Sequence, residues 1–167
     1  MAKTLQQKVV SALSKANLTL SCAESCTGGL IAKRITDVSG ASTVFHGGVV
    51  SYVNAVKQNV LGVSARDLEQ YGAVSAPVGR QMASGAARLL STDLAVSTTG
   101  VAGPNPDDRG NTVGTVYVSL SAQGKTWCYL CHFDGDRARI RRSAAEFALS
   151  LVLRYLSGAD MAEGALS

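Results

Sequence analysis

The chain has 167 residues, 46% hydrophobic and 17% charged, with 17 glycines and 3 prolines, which excludes a disordered or collagen-like polymer. The expectation is one domain, residues 1–160, large enough to bury a core, with a tail at 161–167 that frays. The formal net charge of +4 suits an anionic ligand, but aromatics are 5% and no basic stripe is interleaved with stacking residues, so no nucleic-acid partner is expected.

No uncharged apolar run is long enough to span a membrane, and "MAKTLQQKVV" lacks the apolar block of a secretory signal. The expectation is a cytoplasmic protein without a membrane partner. In "TLQQKVVSALSKA", Leu5, Val9, Leu13 and Ala16 share one helical face. "LTLSC" (18–22) reads as a short strand, and "TGGLIAKRITDV" (27–38) as a helix starting near Cys26 or Thr27. "VFHGGVVSY" (44–52) reads as a strand, followed by two short helices, the second opened by Ser64 as N-cap and stopped by Gly72. "SAPVGRQMASGAARLLS" (75–91) is a helix with Ser75 as cap and Pro77 in its first turn.

"DLAVSTTG" is a strand entering the Gly/Pro-rich loop "VAGPNPDDRGNTV". Strands at 114–121 and about 125–133 form a hairpin, and 137–156 is a long amphipathic helix capped by Asp136. The order αβαβαααβββα predicts a three-layer α/β/α fold with a mixed β-sheet covered on both faces.

The cysteines fall as Cys22-x3-Cys26 and Cys128-x2-Cys131. Zinc knuckles normally sit in turns, whereas "KTWCYLCHF" alternates as a strand and sends Cys128 and Cys131 to opposite faces. No metal site is expected, and the thiols read as buried or unpaired.

Ligands of open α/β sheets collect where strands end and helices begin, and "SCAESCTGG" (21–29) occupies such a junction. Ser25 there is placed either as a nucleophile, with nearby N–H groups holding an oxyanion, or simply as a helix cap. Cys26 is the rival nucleophile, but its usual helper is histidine, and His46 and His132 both lie in strand-like segments. "SYVNAVK" offers another base: Lys57 takes a serine proton if its pKa is lowered, and is otherwise a solvated surface lysine. Tyr52 fits packing more readily than proton relay. Thr99 and Gly100 end a strand at a loop that cradles a ligand or only turns the chain. Arg137 and Arg141, one turn apart, grip a phosphate or make a solvated basic face.

Together, "AESCTGG" (23–29), "GGVVSYVNAVKQNVLGV" (47–63), "YGAVSAPV" (71–78), "TTGVAGP" (98–104), "VGTVYVSL" (113–120) and "FDGDRARIRRSAAEFAL" (133–149) resemble the CinA C-terminal domain family, particularly its stand-alone nicotinamide-nucleotide amidases. The resemblance implies hydrolysis of the carboxamide of nicotinamide mononucleotide to the acid and ammonia, in pyridine-nucleotide salvage and with no cofactor. It makes Ser25 the nucleophile, Lys57 its base and Tyr52 an assistant. Around them, Glu24, Cys26, Thr27, Gly28, Asn54, Thr99 and Gly100 are expected to contact substrate. Arg137 and Arg141 are inferred to take its phosphate. The alternatives are a non-catalytic nucleotide-binding or competence-associated interaction module and, using the four cysteines, a zinc-binding regulatory module. An enzyme of this size is expected to be a homo-oligomer, with a dimer favoured.

Overall fold

A computed structural model describes residues 1–167. The chain forms, in order, α1 (Leu5–Ala16), β1 (Leu20–Glu24), α2 (Leu30–Thr36), β2 (Phe45–Val50), α3 (Asn54–Asn59), α4 (Ala65–Tyr71), α5 (Ala76–Leu90), β3 (Leu94–Gly100), β4 (Thr115–Ala122), β5 (Lys125–His132) and α6 (Arg137–Leu156). A short 3-10 turn at Ala41–Thr43 precedes β2. The strand order is β2-β1-β3-β4-β5, with β1 parallel to both β2 and β3 and the β3–β4 and β4–β5 pairs antiparallel. The expected element order and mixed, doubly covered sheet are therefore present.

α1, α2 and α6 cover one face and pack on the larger apolar core, which includes Val9, Leu13, Ile31, Ile35, Ile140 and Leu149. α5, with α4 outside it, covers the other face over a smaller core built from Leu61, Val63, Leu68, Val78 and Met82. Two-sided covering explains why β1 is buried at every position and does not alternate. Along α1, Val9 and Leu13 are buried, but Ala16 is exposed because the helix ends there at Asn17 in a left-handed conformation.

Several ends follow local chemistry. α1 is closed by a capping box, in which Thr4 Oγ1 accepts from the Gln7 N–H and the Gln7 side chain accepts from the Thr4 N–H. Ser64 and Asp136 cap α4 and α6 as expected. Ser75 stands at the start of α5, but its hydroxyl donates to the Gly72 carbonyl instead of capping the helix.

The tail expected to fray is docked. Met161 is buried, and the Tyr129 hydroxyl donates to its carbonyl. The Leu166 N–H donates to the Cys128 carbonyl on edge strand β5, and Arg154 donates to the Asp160 and Glu163 carbonyls. An exposed strand edge and an arginine at the end of α6 supply partners that the polar tail alone does not reveal.

Gly85 marks the tightest contact of the second layer. A Cβ built there would stand 2.1 Å from the Leu61 carbonyl oxygen, so α5 reaches the α3–α4 connection only with no side chain at this position. Gly85→Ala should lower the unfolding free energy by about 1–3 kcal/mol, although alanine is the better helix former. Urea denaturation would measure it; unchanged or higher stability would refute the close-contact account.

Candidate active site

β1 lies between β2 and β3, and the connections that leave its neighbourhood run over opposite faces of the sheet. Such a switch point opens a crevice at the carboxyl ends of the strands. Here Glu24 is level with Val50 on one side and Thr98 on the other. Ser25, the 51–53 segment and the end of β3 are thereby brought together.

The resulting cleft, of about 200 Å³, is lined by Ser25, Cys26, Tyr52, Asn54, Lys57, Ala73, Val74, Thr99, Gly100, Ala102 and Arg137. At its centre, Lys57 Nζ donates to Ser25 Oγ at 3.0 Å and to the Ser51 carbonyl at 2.7 Å. Lys57 is not a solvated lysine, since it is 1% exposed and no carboxylate pairs with it. Burial lowers its pKa from the ordinary 10.5 to about 8, against a smaller opposing influence of Cys26. The Cys26 thiol is pushed up to about 12, chiefly by burial. A thiol so disfavoured as an anion is a poor nucleophile.

The helix expected to begin near Cys26 begins at Leu30, because residues 25–29 form a turn ending in two left-handed glycines. Glu24 has a different place from the substrate contact expected of it. It is 1% exposed; Oε1 accepts from the Ile31 N–H at 2.8 Å and Thr27 Oγ1 at 2.7 Å, and Oε2 accepts from the Ala32 N–H at 3.1 Å. The Cys22 thiol donates to the same carboxylate. Thr27 is also fully buried, its hydroxyl shared between Glu24 and Thr98 Oγ1, so it faces inward. The Gly28 N–H is bound to the Ser25 carbonyl. The Cys26 and Thr27 N–H groups have no backbone acceptor.

Arg141 does not line the cleft. Its guanidinium donates to the Cys26 carbonyl at 3.1 Å and the Thr27 carbonyl at 3.0 Å, bracing the turn from outside. Arg137 does line it, donating to the Gly103 carbonyl at 2.6 Å and to Tyr52 Oη at 2.8 Å. Tyr52 lies beyond the end of β2, 56% exposed, on the rim with Asn54. Thr99 Oγ1 donates to the Ala73 carbonyl, fastening β3 to the wall before α5.

The Ser51 carbonyl, Ala73, Val74, Ala102 and Gly103 escape a reading of residue types, since most act through backbone or shape. "YGAVSAP" was a recognisable segment, but nothing in its side chains marks it as a cleft wall. The four cysteines do not gather, and no group of three or more His, Cys, Asp or Glu side chains converges as a metal would need.

Fold and cleft define an α/β protein of the mixed, doubly covered sheet class, with a serine–lysine pair at the carboxyl ends of its parallel strands. The chain belongs to the CinA C-terminal domain family, whose model matches residues 2–156. It is 46% identical over 153 residues to a CinA-like protein of Syntrophomonas wolfei subsp. wolfei, covering 92% of this chain and 37% of that protein. It is 44% identical over 156 residues to a CinA-like protein of Syntrophus aciditrophicus, covering 93% and 37%. The chain thus spans little more than a third of these relatives' length.

Among solved structures, it resembles a competence-damaged protein (CinA) superfamily protein from Klebsiella pneumoniae, with a TM-score of 0.90 and 30% identity over 92% of this chain and 96% of that one. It also resembles the competence/damage inducible protein CihA from Agrobacterium tumefaciens, with a TM-score of 0.86 and 35% identity over 92% and 93%.

The lowered pKa of Lys57 has a consequence for stability. Between about 8 and 10.5 the unfolded lysine holds a proton that the folded one has lost. Unfolding then takes up a proton, so stability gains with rising pH in that window and the contribution is flat below it. Compared with Lys57→Met, the parent chain should gain stability from pH 8 to pH 10 in urea titrations. Parallel pH profiles would mean that the lysine is not depressed.

Proposed function

We propose that this chain is a Ser/Lys amidohydrolase acting on the carboxamide of nicotinamide mononucleotide, yielding the acid nucleotide and ammonia in NAD salvage. The observation that carries the reading is the 3.0 Å contact between Ser25 Oγ and a buried Lys57 that has no counter-charge. The choice of substrate rests on the sequence resemblance to nicotinamide-nucleotide amidases.

Neutral Lys57 takes the Ser25 proton as Oγ attacks the amide carbon. The tetrahedral oxyanion is received by N–H groups of the turn that follows Ser25, those of Cys26 and Thr27, which have no backbone acceptor. Lysine ammonium then gives its proton to the departing nitrogen, leaving an acyl ester on Ser25. Water attacks that ester with Lys57 again as base, releasing the carboxylic acid and restoring the hydroxyl. Tyr52 Oη accepts from Arg137 and so keeps its own hydrogen free to donate toward the leaving group or substrate. The cleft, about 200 Å³ against the roughly 300–1,000 Å³ of sites that enclose a drug-sized ligand, takes the pyridine carboxamide and leaves ribose and phosphate at the rim. There Asn54 and Arg137 are the polar groups at hand, and cytoplasmic nucleotide is the expected source.

Purified protein incubated with nicotinamide mononucleotide should release ammonia and the acid nucleotide. Ser25→Ala and Lys57→Ala should each lower kcat by about 10⁴-fold or more, and Tyr52→Phe by less, with folding checked by circular dichroism. Tight binding without turnover by the parent chain would leave a non-catalytic nucleotide-binding module instead.

Activity requires neutral Lys57. The rate should therefore fall about tenfold per pH unit below the lysine pKa of about 8 and level off above it. A flat profile from pH 6 to pH 9 would remove Lys57 as the base.

A further inference from the structure

A second polar cavity, of about 480 Å³, opens between α2 and α6 and shares no lining residue with the Ser25 cleft. Its walls are Leu30 and Arg34 from α2 and Arg139, Arg142, Ser143 and Glu146 from α6. The only side-chain ion pair in the chain is Lys33–Asp37, so all three guanidiniums lack a carboxylate partner, Glu146 included.

The arginines are partly preset. Arg34 is half-buried, and its guanidinium is held by Gln6 Oε1 at 3.0 Å. The stem of Arg139 lies over Gly135, where an added Cβ would stand 2.5 Å from Arg139 Cδ. Arg139 and Arg142 are three residues apart on one helix, a spacing at which like charges repel unless an anion joins them.

We propose that this groove binds a phosphate-bearing small molecule, its phosphoryl oxygens held by Arg34, Arg139 and Arg142 with help from the Ser143 hydroxyl. Planar guanidiniums pair with carboxylate and phosphate oxygens alike, but three of them with a hydroxyl match the greater oxygen count and charge of a phosphoryl group. No aromatic side chain lines the groove for base stacking, and Glu146 interrupts the positive wall; both features disfavour an extended nucleic acid. The assignment is independent of the amidase reading, since it uses none of the same side chains.

Inorganic pyrophosphate titrated calorimetrically into the protein at low salt is the test. Saturable binding should weaken by about tenfold or more in Arg139→Gln/Arg142→Gln and in Arg34→Gln, and stay within about twofold in Arg137→Gln. Arg139 and Arg142 are exposed, so the double variant should keep the parent's melting profile. No saturable binding by the parent protein overturns the proposal. So does binding that, in an Arg137→Gln background, survives the double variant, or binding that is lost in Arg137→Gln alone, which would put the anion in the Ser25 cleft. A single-stranded oligonucleotide that binds more tightly than pyrophosphate, and is lost in the same double variant, overturns it in favour of nucleic acid.

Discussion

The carboxylate of Glu24 fixes the reactive end of the sheet. It is the last residue of β1, almost fully buried, and has no cationic partner. A buried carboxylate is costly unless donors replace the water it loses. Here the donors are two N–H groups from the first turn of α2, the Thr27 hydroxyl and the Cys22 thiol. The positive end of the α2 dipole adds to them. α2 is only seven residues long and could not persist by itself, so the carboxylate supplies both its cap and its position. The turn between strand and helix is then held at both ends, and Arg141 braces its carbonyls from outside. Ser25 opens that turn, its own N–H tied to the Thr98 carbonyl at the end of β3.

The same arrangement keeps the Glu24 carboxylate and the Lys57 amine on separate partners. Lys57 lies close in the fold, yet Glu24 spends both oxygens on α2 and its turn and offers none to the lysine. A carboxylate facing Lys57 would hold its proton in place and raise its pKa. With only a carbonyl and a serine hydroxyl as partners, burial dominates and the proton is loosely held. The backbone ties the halves together, because the Ser51 N–H donates to the Glu24 carbonyl while the Ser51 carbonyl accepts from Lys57. A displacement of Glu24 would therefore reach Lys57 through Ser51.

Much of the fold was legible because it is written in local patterns. Periodicity and caps located α1, α4 and α6, and turn residues separated β4 from β5. The start of α2 was not legible, since Thr27 and the glycine pair look like a capped helix start. They form a turn only because Glu24 claims the N–H groups further on. The tail misled for a related reason: its contacts are to backbone carbonyls and a strand edge, which composition does not encode. Ser25 and Lys57 were legible as candidates, but no spacing shows that a lysine 32 residues away has been buried against a serine. Glu24 and Thr27, expected at the substrate, and Arg141, inferred for its phosphate, all make scaffold contacts instead, because a polar side chain beside a site can serve the scaffold as readily as a ligand.

The division between scaffold and ligand also bears on selectivity. The dyad lies inside a small cleft, whereas the rim comes from separate connections: Tyr52 and Asn54 before and within α3, Ala73 and Val74 before α5, and Arg137 at the start of α6. Arg137 ties the Tyr52 wall to the loop after β3, with one nitrogen on the Gly103 carbonyl and another on Tyr52 Oη. On the proposed reaction, a substrate phosphate reaching Arg137 meets a guanidinium already engaged, and must bind beside Tyr52 or displace it. Displacement would remove the donor that keeps the phenol oriented, and binding beside it would hold phosphate and phenol on one cation. Recognition of the nucleotide and placement of Tyr52 are in either case properties of the same side chain. On that reading the rim can change which amide is accepted without altering the contact between Ser25 and Lys57.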